Sequence, residues 1–294
     1  MVGYVIELPL RWNYLALKPH LPIHTKLGYG LMLNAITDMW LLTVGLNRKD
    51  LNPASITVVK NYIGFLNTMD DYLDDIDDRP TTLRFKKGDE LWERRKELFE
   101  SVRQFDPQVQ KKLKRTISAS TFTMLGAMAK FKKSGASDLA GALFIREATA
   151  GEICRATAEL FNVIHEVPVD KAKAVEAAFW NVGMVLQVHD DVGDILKDER
   201  EGFSENLVLQ ILNRRPVEKA RLMQALARRK GCGYGTLVRL APETAREARV
   251  LQERYLAAIP ESGGFERIRC LLNLSVSFGG QSVALRSIID RLDL

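Results

Sequence analysis

Apolar positions in this chain recur with helical spacing over most of its length, and the alternation typical of half-buried β-strands is scarce. Proline, glycine, asparagine and aspartate residues separate the periodic stretches, as they do at helix ends. We predict helices over 25–46, 53–78, 88–103, 107–132, 138–164, 169–200, 203–213, 216–230, 241–258 and 263–292. The connections are short, and no repeat or linker divides the chain. The sequence therefore predicts an all-α, single-domain helical bundle over 1–294, with 1–24 as an N-terminal extension.

The composition fits a soluble globular protein, since the 294 residues are 46% hydrophobic and 27% charged. The net charge is +5, but the basic residues form short patches without interleaved aromatic residues, so we expect no nucleic acid partner. Three widely spaced cysteines indicate reduced thiols and a cytoplasmic protein. We find no signal peptide pattern and no apolar run of about 18 residues, so we expect no stable membrane insertion.

Two clusters of aspartate stand out. The segment 70–78 carries the first, with six aspartates in nine residues. The second comprises Asp190, Asp191, Asp194 and Asp198. Because residues four apart share a helix face, Asp70 and Asp74 form one carboxylate face, and the first, third and fourth members of the second cluster form another.

Such dense carboxylates repel one another, and the macrodipole disfavours negative charge at the end of a helix, so bound cations should compensate. Mg²⁺ is bound in proteins by one or two carboxylates while water and substrate phosphate complete its shell. A solvated acidic face is the alternative for a single run, but a second ordered set favours metal binding. We therefore predict that Asp70 and Asp190 lie within about 15 Å of each other across a deep cavity.

The segment 190–208 resembles the second metal motif of class I terpene synthases, in which a ligand recurs at every fourth position. Asp190, Asp194 and Asp198 stand at the ligand positions, Lys197 at the basic position, and Gly202, Asn206, Leu207 and Val208 in the tail. Asp70, Asp71 and Asp74 are placed as in that family's aspartate-rich motif. The segment from Arg146 to Gly151 is similar to the one that carries the family's diphosphate-sensing arginine beside a helix break.

The resemblance implies a helical bundle of the isoprenoid synthase type with a central active-site cavity. It implies Mg²⁺-dependent ionisation and cyclisation of an allylic prenyl diphosphate, with release of diphosphate. Asp70, Asp71, Asp74, Asp190, Asp194 and Asp198 would bind three Mg²⁺ ions, for which Mn²⁺ can substitute. Arg146 and Lys197 would hold the diphosphate, so Asp70, Asp71, Asp74 and Arg146 are the candidate catalytic residues. A homodimer is a further expectation.

The faces of the two aspartate helices also predict substrate contacts. Following the second motif backward along its face leads to Gln187 and Trp180, and Asn67 occupies the corresponding place on the first helix. The helical rise puts Trp180 about 15 Å from Asp190, a depth that suits the far end of a prenyl chain. The alternative for Trp180 is an ordinary core position.

A trans-prenyltransferase, which condenses an allylic diphosphate with isopentenyl diphosphate, is the second hypothesis. Residues 187–194 also fit that family's Gln-x-x-Asp-Asp-x-x-Asp pattern, but the N-terminal third lacks its Gly-Gly-Lys-type motif. A di-metal storage bundle is a third hypothesis, and the absence of Glu-x-x-His pairs disfavours it. The prenyl chain length stays open, as does the choice between Arg146 and Arg155 as the diphosphate contact.

Overall fold

The computed structural model describes residues 26–74, 86–135, 137–227 and 232–279, and all regular secondary structure in these ranges is helical. The α-helices are α1 Lys26–Val44, α2 Pro53–Asp74, α3 Glu90–Val102, α4 Pro107–Ser134, α5 Leu139–Arg146, α6 Glu152–Ile164, α7 Val169–Glu201, α8 Leu207–Asn213, α9 Pro216–Leu226, α10 Tyr234–Leu240, α11 Pro242–Ala257 and α12 Gly264–Gly279. A short 3₁₀ helix covers Arg48–Asp50, and a π-helical turn covers Glu147–Gly151. Among the helices described, none is long and apolar enough to cross a membrane.

The all-α prediction is confirmed for the described residues, and most helix ends lie within two residues of their predicted positions. Three predictions were wrong. The helix predicted from 203 begins at Leu207, because Asn206 caps it, and the helix predicted over 216–230 ends at Leu226. The helix Tyr234–Leu240 was missed, since no helix was predicted between 230 and 241. The predicted helical residues 75–78, 228–230 and 280–292 lie outside the described ranges, as does the extension 1–24.

Local sequence explains where the helices begin and end. Asp106 accepts hydrogen bonds from the backbone N–H groups of Gln108 and Val109, and Pro107 occupies the first helical position, where its missing N–H costs nothing. The same helix ends at Ser134 and is followed by Gly135, which has φ of +60°, a conformation that glycine adopts without strain. These signals explain why α4 was predicted to begin at its observed first residue.

The chain forms two compact units. Within the described ranges, the N-unit comprises residues 37–74, 86–135 and 144–183, and the C-unit comprises residues 26–36, 137–143, 184–227 and 232–279. Helix α7 therefore contributes its first half to the N-unit and its second half to the C-unit. The predicted single domain and central cavity stay predictions.

In the N-unit, α2 packs against α3 and α6, and α4 packs against α6. Its largest side chains are fully buried, including Trp40, Tyr62 and Phe161. The rings of Trp40 and Phe161 stack with their centroids 5.0 Å apart. Aromatic burial of this kind supplies much of the stabilisation of the unit.

In the C-unit, α8 packs against α9 and α11, while α10 and α12 both pack against α11. Every residue from Leu207 to Leu212 is buried, so α8 is enclosed on all sides. A short helix that is buried along nearly its whole length has no solvent-facing side to favour one orientation. Its position is set by polar contacts at its first turn, which involve the second aspartate cluster.

Candidate functional site

The second half of α7 carries the second aspartate cluster. Asp190, Asp194 and Asp198 follow one another at intervals of four residues inside one uninterrupted helix, so they lie along one face. Asp190 and Asp194 are half-buried, whereas Asp198 is 7% exposed. The predicted carboxylate face therefore exists, and it becomes less accessible toward the end of the helix.

Asp191 points away from this series and holds α8 in place. One of its carboxylate oxygens accepts a hydrogen bond of 2.6 Å from the Gln187 side chain, and the other accepts one of 2.7 Å from the backbone N–H of Leu207. Asp191 is 1% exposed, so these bonds satisfy a buried charge. Both carboxylate oxygens of Asp191 therefore accept hydrogen bonds from within the protein, and this residue acts as an anchor for α8.

Asn206 completes the junction between α7 and α8. Its side-chain nitrogen donates to the backbone oxygen of Asp191 at 2.8 Å and to a carboxylate oxygen of Asp198 at 2.7 Å. Its side-chain oxygen accepts a bond from the backbone N–H of Leu209 and so caps α8. One oxygen of Asp198 is thus used inside the protein, and sequence reasoning missed this role of Asn206.

Two predicted substrate contacts also lie on this half of α7. Gln187 is half-buried and is bonded to Asp191, which makes it a positioning residue for the cluster. The Lys197 side chain is 61% exposed, with its ammonium 3.8 Å from Glu201 and 6.0 Å from the centre of the Phe203 ring. An exposed lysine in such weak contacts can move to meet an anion at small cost.

The first cluster lies at the end of α2, in the N-unit. Asp70 is exposed, as is Asn67 one turn earlier, whereas Ile63, a further turn back along the same helix, is buried. The side chains of Asp71 and Asp74 lie outside the described part of the structure, as do residues 75–78. Because the two clusters belong to different units, their separation stays a prediction, and so does the contact between Asn67 and substrate.

Arg146 is the last residue of α5, and the π-helical turn begins at the next residue. The helix predicted over 138–164 is therefore interrupted at the place where the sequence indicated a helix break. A π turn inserts an extra residue into the helical ladder and is often found at functional sites. Thr149 compensates in part, because its hydroxyl donates to the backbone oxygen of Ile145 at 2.9 Å.

The π turn packs closely against α7 through two glycines. A Cβ atom on Gly151 would lie 2.7 Å from Nε1 of Trp180, and a Cβ on Gly183 would overlap the backbone oxygen of Ala150. Trp180 is half-buried and lies directly against the π turn. Trp180 is therefore a direct neighbour of the helix break that follows Arg146. Its contact with the far end of a substrate stays a prediction.

Arg155 has a different environment, in a polar network that the sequence analysis did not predict. It donates to both oxygens of Glu152 at 2.7 Å and to Glu159 at 2.8 Å, and it lies 3.7 Å from Glu176. These bonds, those to Glu152 first, raise the pKa of Arg155, while burial raises the pKa of Glu176. The spacing of Glu152, Arg155 and Glu159 along one helix face was the signal that could have revealed this network.

The network extends into the aromatic core. Asn162 donates to Glu176 at 3.1 Å and accepts a bond of 2.9 Å from the indole of Trp40. Glu159 accepts a bond of 2.8 Å from Thr116 of α4. The network around Arg155 therefore joins α1, α4, α6 and α7. This structural role disfavours Arg155 as the diphosphate contact.

The carboxylate oxygens fit a hard cation such as Mg²⁺, which needs only one or two protein carboxylates when a phosphate ligand is also present. Among the described residues, no group of three or more His, Cys, Asp or Glu side chains is close enough to hold a metal ion by itself. Asp190, Asp194 and Asp198 are the carboxylates that share one face of α7. Any cation there would depend on ligands from outside this helix.

Comparison with known proteins gave no match: no family model, curated protein or solved structure is similar to this chain.

Proposed function

We propose that this protein is a class I terpene synthase, which uses Mg²⁺ to ionise and cyclise an allylic prenyl diphosphate and releases diphosphate. The supporting observation is that the aspartates of α7 have two different structural roles. Asp191 is consumed in anchoring α8, whereas Asp190 and Asp194 stay half-exposed on one face. A purely structural cluster would have little need for this second, separate carboxylate face.

Bound Mg²⁺ would supply charge neutralisation for the leaving diphosphate, with Asp70, Asp71, Asp74, Asp190, Asp194 and Asp198 as its protein ligands. Arg146 and Lys197 would donate charge-assisted hydrogen bonds to the diphosphate oxygens. Trp180 would present its ring to the cationic carbon chain, since an aromatic face attracts positive charge. The protein supplies no nucleophile in this scheme, and its apolar side chains exclude water.

Incubation of the purified protein with Mg²⁺ and geranyl, farnesyl or geranylgeranyl diphosphate tests the proposal. We expect an organic-extractable product and inorganic diphosphate from a single prenyl diphosphate. The Asp194→Ala variant is the matched negative control, because Asp194 lies on the proposed metal face. The absence of turnover with all three substrates would refute the proposal.

A trans-prenyltransferase is the second candidate, and the bond between Gln187 and Asp191 favours it, because both residues belong to the pattern of that family. Parallel reactions with added isopentenyl diphosphate distinguish the two functions. A product that forms only with both substrates, and that stays water-soluble until phosphatase treatment, would establish chain elongation in place of cyclisation.

A further inference from the structure

The N-unit contains a second site of interest, a groove of about 320 Å³ between α3 and the start of α4. It shares no residue with the two aspartate clusters. Trp92 and Phe99 form its aromatic part, and both side chains are half-buried. Its volume is at the lower end of the range of small-molecule sites, about 300–1,000 Å³.

The lining is strongly basic. Arg95, Lys96, Arg103 and Lys114 contribute four positive charges against one carboxylate, that of Glu100, so the net lining charge is +3 (4 − 1). The whole chain carries +5. The positive lining of the groove raises the local concentration of anions.

Aromatic contacts hold two of these cations over the groove. The guanidinium of Arg95 lies 5.0 Å from the centre of the Phe99 ring, and the ammonium of Lys96 lies 5.6 Å from the Trp92 ring. Cation–π attraction restricts the motion of these long side chains before any ligand arrives. Less conformational entropy is then lost on binding, which favours affinity.

The charge pattern around the groove limits the size of the ligand. Glu90, Glu93 and Glu97 are exposed on the same helix, outside the groove. Glu93 lies 4.0 Å from the ammonium of Lys96, and the other two carboxylates are not part of the lining. A long polyanion such as a nucleic acid would meet more of these carboxylates than a small anion would. A monophosphate carries about −1.5 to −2 at pH 7, so two linked phosphoryl groups match a lining of +3 better.

From these observations we propose that the groove binds the diphosphate group of a small molecule without a metal ion. The arginine guanidinium groups match phosphoryl oxygens geometrically, and the lysines add point charges. Free inorganic diphosphate and an organic diphosphate share this chemistry. The aromatic rings would add affinity only for the organic form.

Isothermal titration calorimetry in EDTA tests the proposal, because chelation removes any contribution from a Mg²⁺-dependent site. The titrants are inorganic diphosphate and geranyl diphosphate. We expect binding by the native protein and binding weaker by about tenfold or more in Arg95→Gln/Lys114→Gln. This binding measurement does not depend on the proposed catalytic function, so its result is valid whether or not the protein is a terpene synthase.

The matched control is Arg94→Gln/Lys112→Gln, which removes the same charge from exposed positions of the same two helices outside the groove. We expect its affinity to change by less than about twofold. Equal loss in both double variants, or no heat of binding with either titrant, would overturn the proposal. If geranyl diphosphate binds more tightly than inorganic diphosphate, and Phe99→Leu removes this difference in affinity, the ligand of the groove is an organic diphosphate. If both titrants bind equally, the ligand is inorganic diphosphate.

Discussion

The side-chain nitrogen of Asn206 lies 2.7 Å from a carboxylate oxygen of Asp198, so the last aspartate of the candidate metal series is bonded to the cap of the next helix. The same nitrogen contacts the backbone of Asp191. The geometry of the aspartate face and the position of α8 are therefore coupled through one buried amide.

Replacement of Asn206 by alanine should destabilise the protein by about 2–4 kcal/mol, because it removes a helix cap and leaves buried polar atoms of Asp191 and Asp198 without their partner. Urea denaturation monitored by circular dichroism measures the change. The control is Asn181→Ala on α7, where the side-chain amide donates to the backbone oxygen of Ala177 in its own helix. A loss below about 0.5 kcal/mol for Asn206→Ala, the range of ordinary surface changes, would contradict the coupling.

Alanine substitutions at two glycines of α7 should have opposite signs. Gly183→Ala should lower the stability of the fold, because its Cβ would overlap the backbone of Ala150, which cannot move aside as a side chain can. Gly193→Ala should raise the stability by about 0.5–1 kcal/mol, because a Cβ there meets nothing within 4 Å. Thermal melts of both variants measure these shifts. Equal shifts would show that the close helix approach at the π turn is unimportant.

Replacement of Arg155 by alanine should mainly lower stability, whereas replacement of Arg146 should mainly lower activity. Arg155→Ala should cost about 2–4 kcal/mol of stability, because it leaves the carboxylates of Glu152 and Glu159 facing each other in a partly buried site. Arg146→Ala should slow the release of diphosphate more than it lowers the melting temperature, because its proposed role is to contact the diphosphate. Turnover of an allylic diphosphate by Arg146→Ala at the native rate would remove Arg146 from the site.

Asp70→Ala should abolish turnover and leave the stability measured in chelator equal or slightly higher, because it removes one of several mutually repelling charges from an exposed position. The comparison is Asp89→Ala, which removes the side chain that caps α3 through Trp92 and should cost about 1 kcal/mol. A large loss of stability in Asp70→Ala would indicate a structural cluster.

Glu176 should make the protein less stable as the pH rises. Burial raises the pKa of its carboxyl group in the folded state, so the folded protein binds more protons than the unfolded chain between the two pKa values. Stability is therefore lost as the pH rises from the unfolded pKa through the folded one.

Glu176→Gln keeps an oxygen for Asn162 and should remove this dependence. The burial-lowered pKa of His165 acts equally in both proteins, so the difference between their denaturation free energies isolates Glu176. If this free-energy difference stayed constant from about pH 4, near the ordinary pKa of a carboxyl group, to about pH 8, the prediction would be contradicted.

The periodicity of the sequence was sufficient for the all-α class and for most helix ends, because caps such as Asp106 and terminators such as Gly135 act locally. It was also sufficient to place Asp190, Asp194 and Asp198 on one face, since helical spacing alone decides that. The start of α8 was predicted too early because its cap, Asn206, is defined by contacts with α7.

Only the tertiary structure distinguished the roles of chemically identical residues. Asp190 and Asp191 are adjacent in the sequence. Asp191 is nevertheless a structural anchor, because it accepts a hydrogen bond from the backbone N–H of Leu207, sixteen positions further along the chain. Arg155 is likewise committed to glutamates that include Glu176 of another helix. A side chain's function depends on which groups surround it, and groups distant in sequence become neighbours only when helices pack. The sequence determined which residues could bind cations or anions, and the packing decided which of them already have partners.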